Sequence, residues 1–170
     1  MPSPLRDYFD PRRASYGTRV KGALSVFAGS VHIGDDCSWG NELRTVVAAA
    51  PGVVRLAGHI FSWGHIVVIE HKLPDGSAVC SLYAHLSPAL SIKPGDIVKA
   101  GQRIGCIGRS HTVDNGGYYA HLHFGIHRGQ YMTPGEHWVS GYVNTERWEQ
   151  GNHTWLDPQE FLKGMMDVRK

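Results

Sequence analysis

Between Thr45 and His127 the chain is a succession of short apolar runs cut by turn residues, the pattern of many short strands rather than of long helices. Two runs rich in β-branched and aromatic residues, His65–His71 (HIVVIEH) and Ala78–His85 (AVCSLYAH), flank Pro74-Asp75-Gly76 and predict a hairpin. Before them, Thr45–Ala50 ends at Pro51-Gly52 and Val53–Ala57 follows at once. After them, two Gly-centred turns bracket Ile97-Val98, Arg103–Gly108 (RIGCIG) reads as another strand, and His111–Tyr118 as a polar loop. Ala120–His127 (AHLHFGIH) then alternates with period two. The expected fold is mostly β, a small antiparallel sheet or barrel-like structure. Residues 1–30 read as an irregular lead-in with one short strand over Ala23–Ala28, and residues 31–127 as the core. Residues 128–170 read as an extension carrying Trp138, Trp148 and Trp155. Its short terminal helix is capped by Asp157, opens at Pro158, and turns Phe161, Leu162, Met165 and Met166 to one face. A single domain is expected overall, with that helix packed back on the sheet.

Composition narrows the function classes. The 170 residues carry 42% hydrophobic and 19% charged side chains, enough to build a core. A net charge of +2 gives no reason to expect nucleic acid or an anionic membrane. No apolar run approaches a membrane span, and Met1–Phe9 lacks the apolar stretch of a secretory leader. That is the pattern of a cytoplasmic chain or of a mature segment. Cys37, Cys80 and Cys106 have no CxxC spacing and are expected as small buried hydrophobes. Eleven histidines are the feature that composition does not explain.

Three segments place those histidines where they could do chemistry. In Ala120-His121-Leu122-His123-Phe124, a strand would put His121 and His123 side by side on one face and Leu122 and Phe124 on the other. A metal, or proton transfer beside one, accounts for two neighbouring imidazoles; two surface histidines on a strand are the plainer alternative. In Val31-His32-Ile33-Gly34-Asp35-Asp36, His32 and Asp36 reach one ion if the backbone bends at Gly34, and a polar turn is the alternative. In Tyr83-Ala84-His85-Leu86, His85 ends the returning strand and gains meaning only beside the other two groups.

In this order, the phrases H-x-G-x-D, Y-A-H-L and H-L-H-F resemble the M23 metallopeptidases, the lysostaphin-like or LytM-type family. The text between them agrees: Gly52-Val53-Val54, the strand Gly64–His71, Lys93–Gln102 with Ile104-Gly105, and the tail Asp157-Pro158 with Phe161-Leu162. The resemblance implies one zinc ion held by His32, Asp36 and His123, with His85 and His121 as catalytic histidines beside the bound water. It implies a small antiparallel β fold with a groove, and hydrolysis of peptide bonds in peptidoglycan stem peptides or cross-links. It also implies a protein of the cell envelope or the extracellular space, and a monomer is expected.

The chain departs in places from the family it resembles. Gly64-His65 stands where many members have glycine-asparagine, which puts His65 near the groove or leaves it a strand residue. Cys37–Arg44 replaces a shorter link, and Trp39 within it lines the groove or packs beside it. Asp114-Asn115-Gly116-Gly117 alters a loop that bears on substrate choice. No tyrosine is assigned to the position just before the first histidine ligand that some relatives use. His59, His71, His111, His127, His137 and His153 are expected outside the site. Two other classes remain open. Pro94–Gln102 also resembles the turn of biotinyl or lipoyl carriers, whose acceptor-lysine context is missing here, and of a phosphotransferase domain, which lacks the later paired histidines. A catalytically silent M23-like module that binds the wall or activates an amidase would keep the same residues.

Overall fold

The computed structural model describes residues 4, 15–19, 28–131, 141–151 and 153–167. The strand expected over Ala23–Ala28 falls outside them except for Ala28, as do His137 and Trp138. A central antiparallel sheet runs in the order β11(Trp155–Leu156), β9(Leu122–Arg128), β6(Ala78–Leu86), β5(Gly64–Lys72), β4(Gly52–Ile60), β7(Ile97–Val98). β2(Asp35–Cys37) pairs with the start of β9, beside the point where β11 pairs with its end. Two smaller ladders complete the strands: β1(Ser30–His32) with β10(Tyr142–Asn144), and β3(Thr45–Val47) with β8(Arg103–Cys106). The expected mostly antiparallel β fold is what forms, but among the described residues the sheet stays open rather than closing into a barrel. Its edge strands β7 and β11 have two residues each, too short to carry a ladder around a closure.

The apolar runs follow from burial on both faces. Along β5 and β6, Val67, Ile69, Val79, Tyr83 and Leu86 enter one core with Phe124, Ile104 and Ile107. Ile66, Val68, Cys80, Leu82 and Ala84 enter a second core with Val31, Ile33 and Trp155. A strand covered on both sides has no solvent face to mark with polar residues, so its alternation disappears. The hairpin forms as expected about Asp75-Gly76, where Gly76 takes φ +86° and Asp75 Oδ1 accepts from Ser77 N at 2.9 Å. The strand expected over Thr45–Ala50 stops at Val47, after a bulge. Ala48 then bonds to Gln102 and Gly101, and the Ala49 amide donates to the Tyr83 hydroxyl, instead of a ladder. The three cysteines are free and buried.

The C-terminal segment contributes more than one helix. β10 and β11 pair with β1 and β9, and α1(Thr145–Glu149) lies between them. α2(Pro158–Asp167) starts where its sequence places it: Asp157 Oδ1 accepts from the amides of Gln159 (2.9 Å) and Glu160 (3.2 Å). Phe161 and Leu162 carry its apolar face onto the first core.

Two positions give sharp tests of this packing. Gly64 has φ +69°, and a Cβ there would lie 2.3 Å from the Asp114 carbonyl oxygen. Gly64→Ala is therefore expected to cost about 2–4 kcal/mol and to lower the melting temperature by about 5–15 °C in a thermal scan. His127 is buried edge-on against Trp155, with ring centroids 4.9 Å apart, and burial pulls its pKa down to about 4. Above its unfolded value near 6.5 it is neutral in both states; below that, only the unfolded chain takes up the proton readily. Its contribution to stability is thus lost as pH falls from about 6.5 toward 4. Denaturant midpoints measured across that window should fall less steeply for His127→Gln than for the parent chain.

Candidate metal centre and its cleft

The site is assembled by strand register. β2 and β9 run antiparallel with Asp36 directly opposite His123, and Asp35 opposite Phe124. Alternation along β2 sends Asp35 the other way, where its Oδ1 accepts the amide of Tyr16 at 3.0 Å. β1 brings His32 in from the adjoining ladder, and Ile33-Gly34 turns the chain between the two strands. The turn needs glycine for space: a Cβ on Gly34 would sit 2.6 Å from Cε1 and Nε2 of His123. Cε1 and Nε2 of His123 thereby lie close against the Gly34 backbone.

Three donor atoms then face one another. Asp36 Oδ1 lies 2.9 Å from His123 Nδ1 and 3.3 Å from His32 Nε2, and the two imidazole nitrogens are 3.1 Å apart. All three residues are buried. A proton bridges one such pair at a time, whereas a cation at the centre satisfies all three. An ion about 2.0–2.1 Å from donors at tetrahedral angles holds them about 3.3 Å from each other, close to the triangle observed. Two nitrogens and one carboxylate oxygen are a donor set suited to zinc. The far ring nitrogen of His123, Nε2, is buried without a hydrogen-bond partner, so its ring is held by packing against Gly34 and, edge-to-face at 5.3 Å, against Trp63.

The electrostatics follow from that geometry. Burial alone would raise the Asp36 carboxyl, but hydrogen bonds from His123 and His32 and their charge outweigh it and hold it well below the usual carboxylate range. For His32, burial favours the neutral ring, yet the Asp36 hydrogen bond and charge, helped by the Ser15 backbone, raise its pKa. Burial dominates at His123 and lowers it despite Asp36.

His85 and His121 stand beside this triangle. His85 takes φ +65° at the end of β6, and its Nδ1 faces the carbonyl oxygens of Trp63 (3.1 Å) and Asn115 (3.0 Å). His121 Nδ1 faces the carbonyl oxygen of Tyr119 at 2.6 Å, and its Nε2 lies 3.5 Å from Asp36 Oδ1. A carbonyl oxygen only accepts, so both rings carry their proton on Nδ1, and when neutral both leave Nε2 as a lone pair. Burial, then the neighbouring charges of His121 and His123, hold His85 well below the ordinary histidine value.

These residues floor a cleft of about 430 Å³ with aromatic walls. Trp39, from the Cys37–Arg44 link, stacks on His121 at 4.5 Å and 9°, and also on Tyr119 at 5.9 Å. Trp63 stacks on His85 at 5.7 Å and 9°. Tyr118 packs on His85 at 4.5 Å, and Tyr142 on His32 at 5.2 Å. Both tyrosines line the cleft, and sequence reasoning missed them. Tyr142 arrives because β10 pairs with β1 and sets it opposite His32, a register that no spacing along the chain announces. Tyr118 follows two glycines in a loop that the sequence marked only as polar. His71 and His127 lie away from the cleft: His71 bonds Pro51 O (2.8 Å) and Ser81 Oγ (2.6 Å), and His127 bonds Thr154 Oγ1.

Comparison with known proteins gives this arrangement a family. The model of Peptidase family M23 matches residues 30–134. The fold is similar to the catalytic domain of the antimicrobial peptidase lysostaphin from Staphylococcus simulans. That match has 28% identity and a TM-score of 0.58 over 90% of this chain and 92% of that one. A zinc containing peptidase from Vibrio cholerae matches 72% of this chain and 35% of its own, with 26% identity and a TM-score of 0.51. An uncharacterized protein of Haemophilus influenzae is 32% identical over 122 residues, 68% of this chain, which spans only 27% of that relative's length. With more than half of its length matched by the family model, and with this fold, the chain belongs to peptidase family M23.

Proposed function

We propose that the protein is a zinc-dependent endopeptidase that hydrolyses peptide bonds in peptidoglycan stem peptides or cross-links. The observation that carries the reading is the convergence of His32 Nε2, Asp36 Oδ1 and His123 Nδ1 within 3.3 Å of one another on the floor of a cleft that two further histidines share. Membership of the family and likeness to an antimicrobial peptidase support the substrate class. His32, Asp36 and His123 would hold the ion. When bound, zinc supplies an acidified water and a Lewis acid for the scissile carbonyl.

The rest is done by side chains. His85 and His121, protonated on Nδ1 by their carbonyl contacts, offer Nε2 to take a proton from the attacking water and return it to the leaving amine. Once protonated, either ring becomes a donor to the oxyanion of the tetrahedral species. The Tyr142 hydroxyl, its pKa pushed up to about 12 by burial and then by the charge of Asp36, keeps its proton at neutral pH and adds a donor on the cleft wall. The stacked tryptophans fix the planes of His121 and His85 and narrow the cleft around an extended peptide. Action on the wall places the working protein in the cell envelope or outside the cell.

Purified peptidoglycan incubated with the zinc-loaded protein, beside a chelated control, should yield new amine ends by mass spectrometry. Zinc binding with no new ends on glycine-bridged or directly cross-linked walls would instead identify the silent module. His121→Ala should keep its zinc while turnover falls by about 10²–10⁴-fold; His123→Ala or Asp36→Ala should lose the zinc itself. Gly34→Ala, which removes no ligand, should displace His123 and weaken zinc affinity by about 10–100-fold in a chelator competition.

A further inference from the structure

A second pair of histidines repeats the ring spacing of the first away from the candidate centre. His59 on β4 and His65 on β5 are direct cross-strand partners, one step from the hairpin end. Their ring centroids are 5.1 Å apart at 67°, against 4.9 Å and 78° for His32 and His123. Two imidazoles bound to one tetrahedral ion have centroids about 5 Å apart, since each nitrogen lies about 2.0–2.1 Å from the metal. Direct cross-strand neighbours with that spacing have the reach to share an ion.

Their outer contacts set the protonation that a ligand needs. His59 Nε2 lies 3.1 Å from the carbonyl oxygen of Val113, and His65 Nδ1 lies 3.1 Å from that of Asp114. Carbonyls only accept, so these nitrogens carry the protons and the opposite ones, Nδ1 of His59 and Nε2 of His65, keep lone pairs. A backbone carbonyl holding the far N–H of an imidazole is the arrangement that orients metal-ligating histidines. The contacts are exposed, so an ion can arrive from solvent and keep water as its remaining ligands.

We propose that His59 and His65 form a second, weaker site for a divalent transition-metal ion such as Zn²⁺, separate from the triangle of His32, Asp36 and His123. It lies beside the turn of the β4–β5 hairpin, whose Ser62-Trp63 lines the cleft, and against the loop whose Asn115 carbonyl orients His85. An ion there would pin hairpin and loop together at the lip of the cleft.

The test is zinc uptake by equilibrium dialysis at pH 7.5, with the full chain and two variants. His59→Gln with His65→Asn keeps an N–H donor for each loop carbonyl and removes both free ring nitrogens. The parent chain should take up one more ion than this double variant at high free Zn²⁺. His123→Ala should lose the tight ion and keep the weaker one, which separates this proposal from the assignment of the main centre. The added ion should also shift the imidazole NMR signals of His59 and His65. Equal uptake by the parent and the Gln/Asn variant, or an extra ion that leaves both imidazoles unmoved, would overturn the proposal.

Discussion

The carboxylate of Asp36 is buried against two imidazole nitrogens, and the surrounding structure is arranged so that this costs little. Taking an ionised carboxylate out of water carries a penalty of several kcal/mol unless charge and hydrogen bonds replace the solvent. Here they come from His123 across one register pair and from His32 across one tight turn. The turn exists because Gly34 leaves room for the His123 ring, and the register because β2 lies along the start of β9. Breaking either leaves a charge without partners. The same cluster of three lone-pair donors is what a divalent cation satisfies best, so the structural demand and the proposed chemistry are one demand.

Around that cluster the aromatic rings form a continuous chain of contacts, stacked except for the tilted His121–His85 pair. Tyr119, Trp39, His121, His85 and Trp63 follow one another at centroid separations from 4.5 to 5.9 Å, and Trp63 turns its edge to His123. Stacked rings do not rotate freely, and the two histidines among them are also fixed at Nδ1 by backbone carbonyls. Each is thus set in plane and in tautomer before any substrate arrives. Such preorganisation is what electrostatic stabilisation of a transition state requires. The loop carrying Asn115 and the hairpin carrying Trp63 meet over Gly64, so the rim of the cleft and the orientation of His85 share one packing contact.

Much of this was legible along the chain because the signals were local. Period-two alternation in His121–Phe124 separates imidazoles from core residues, the Asp-Gly turn specifies the hairpin, and Asp157-Pro158 opens the helix where it is found. The three short phrases bearing histidine also told of the family. What the sequence did not carry is what depends on distant register. Tyr142 reaches His32 only because β10 pairs with β1, and Trp39 covers His121 only through the path of a loop without period or repeat. The choice between open sheet and barrel was open along the chain for a related reason: strand count is visible in turn spacing, but closure depends on the length of edge strands that are only two residues long.

The central claim is that one ion sits among His32, Asp36 and His123. Anomalous diffraction at the zinc edge, from crystals grown with one equivalent of zinc, tests it most directly. The account requires a single strong peak about 2.0–2.1 Å from His32 Nε2, Asp36 Oδ1 and His123 Nδ1. A peak elsewhere, or none with the three side chains still facing one another, would contradict it.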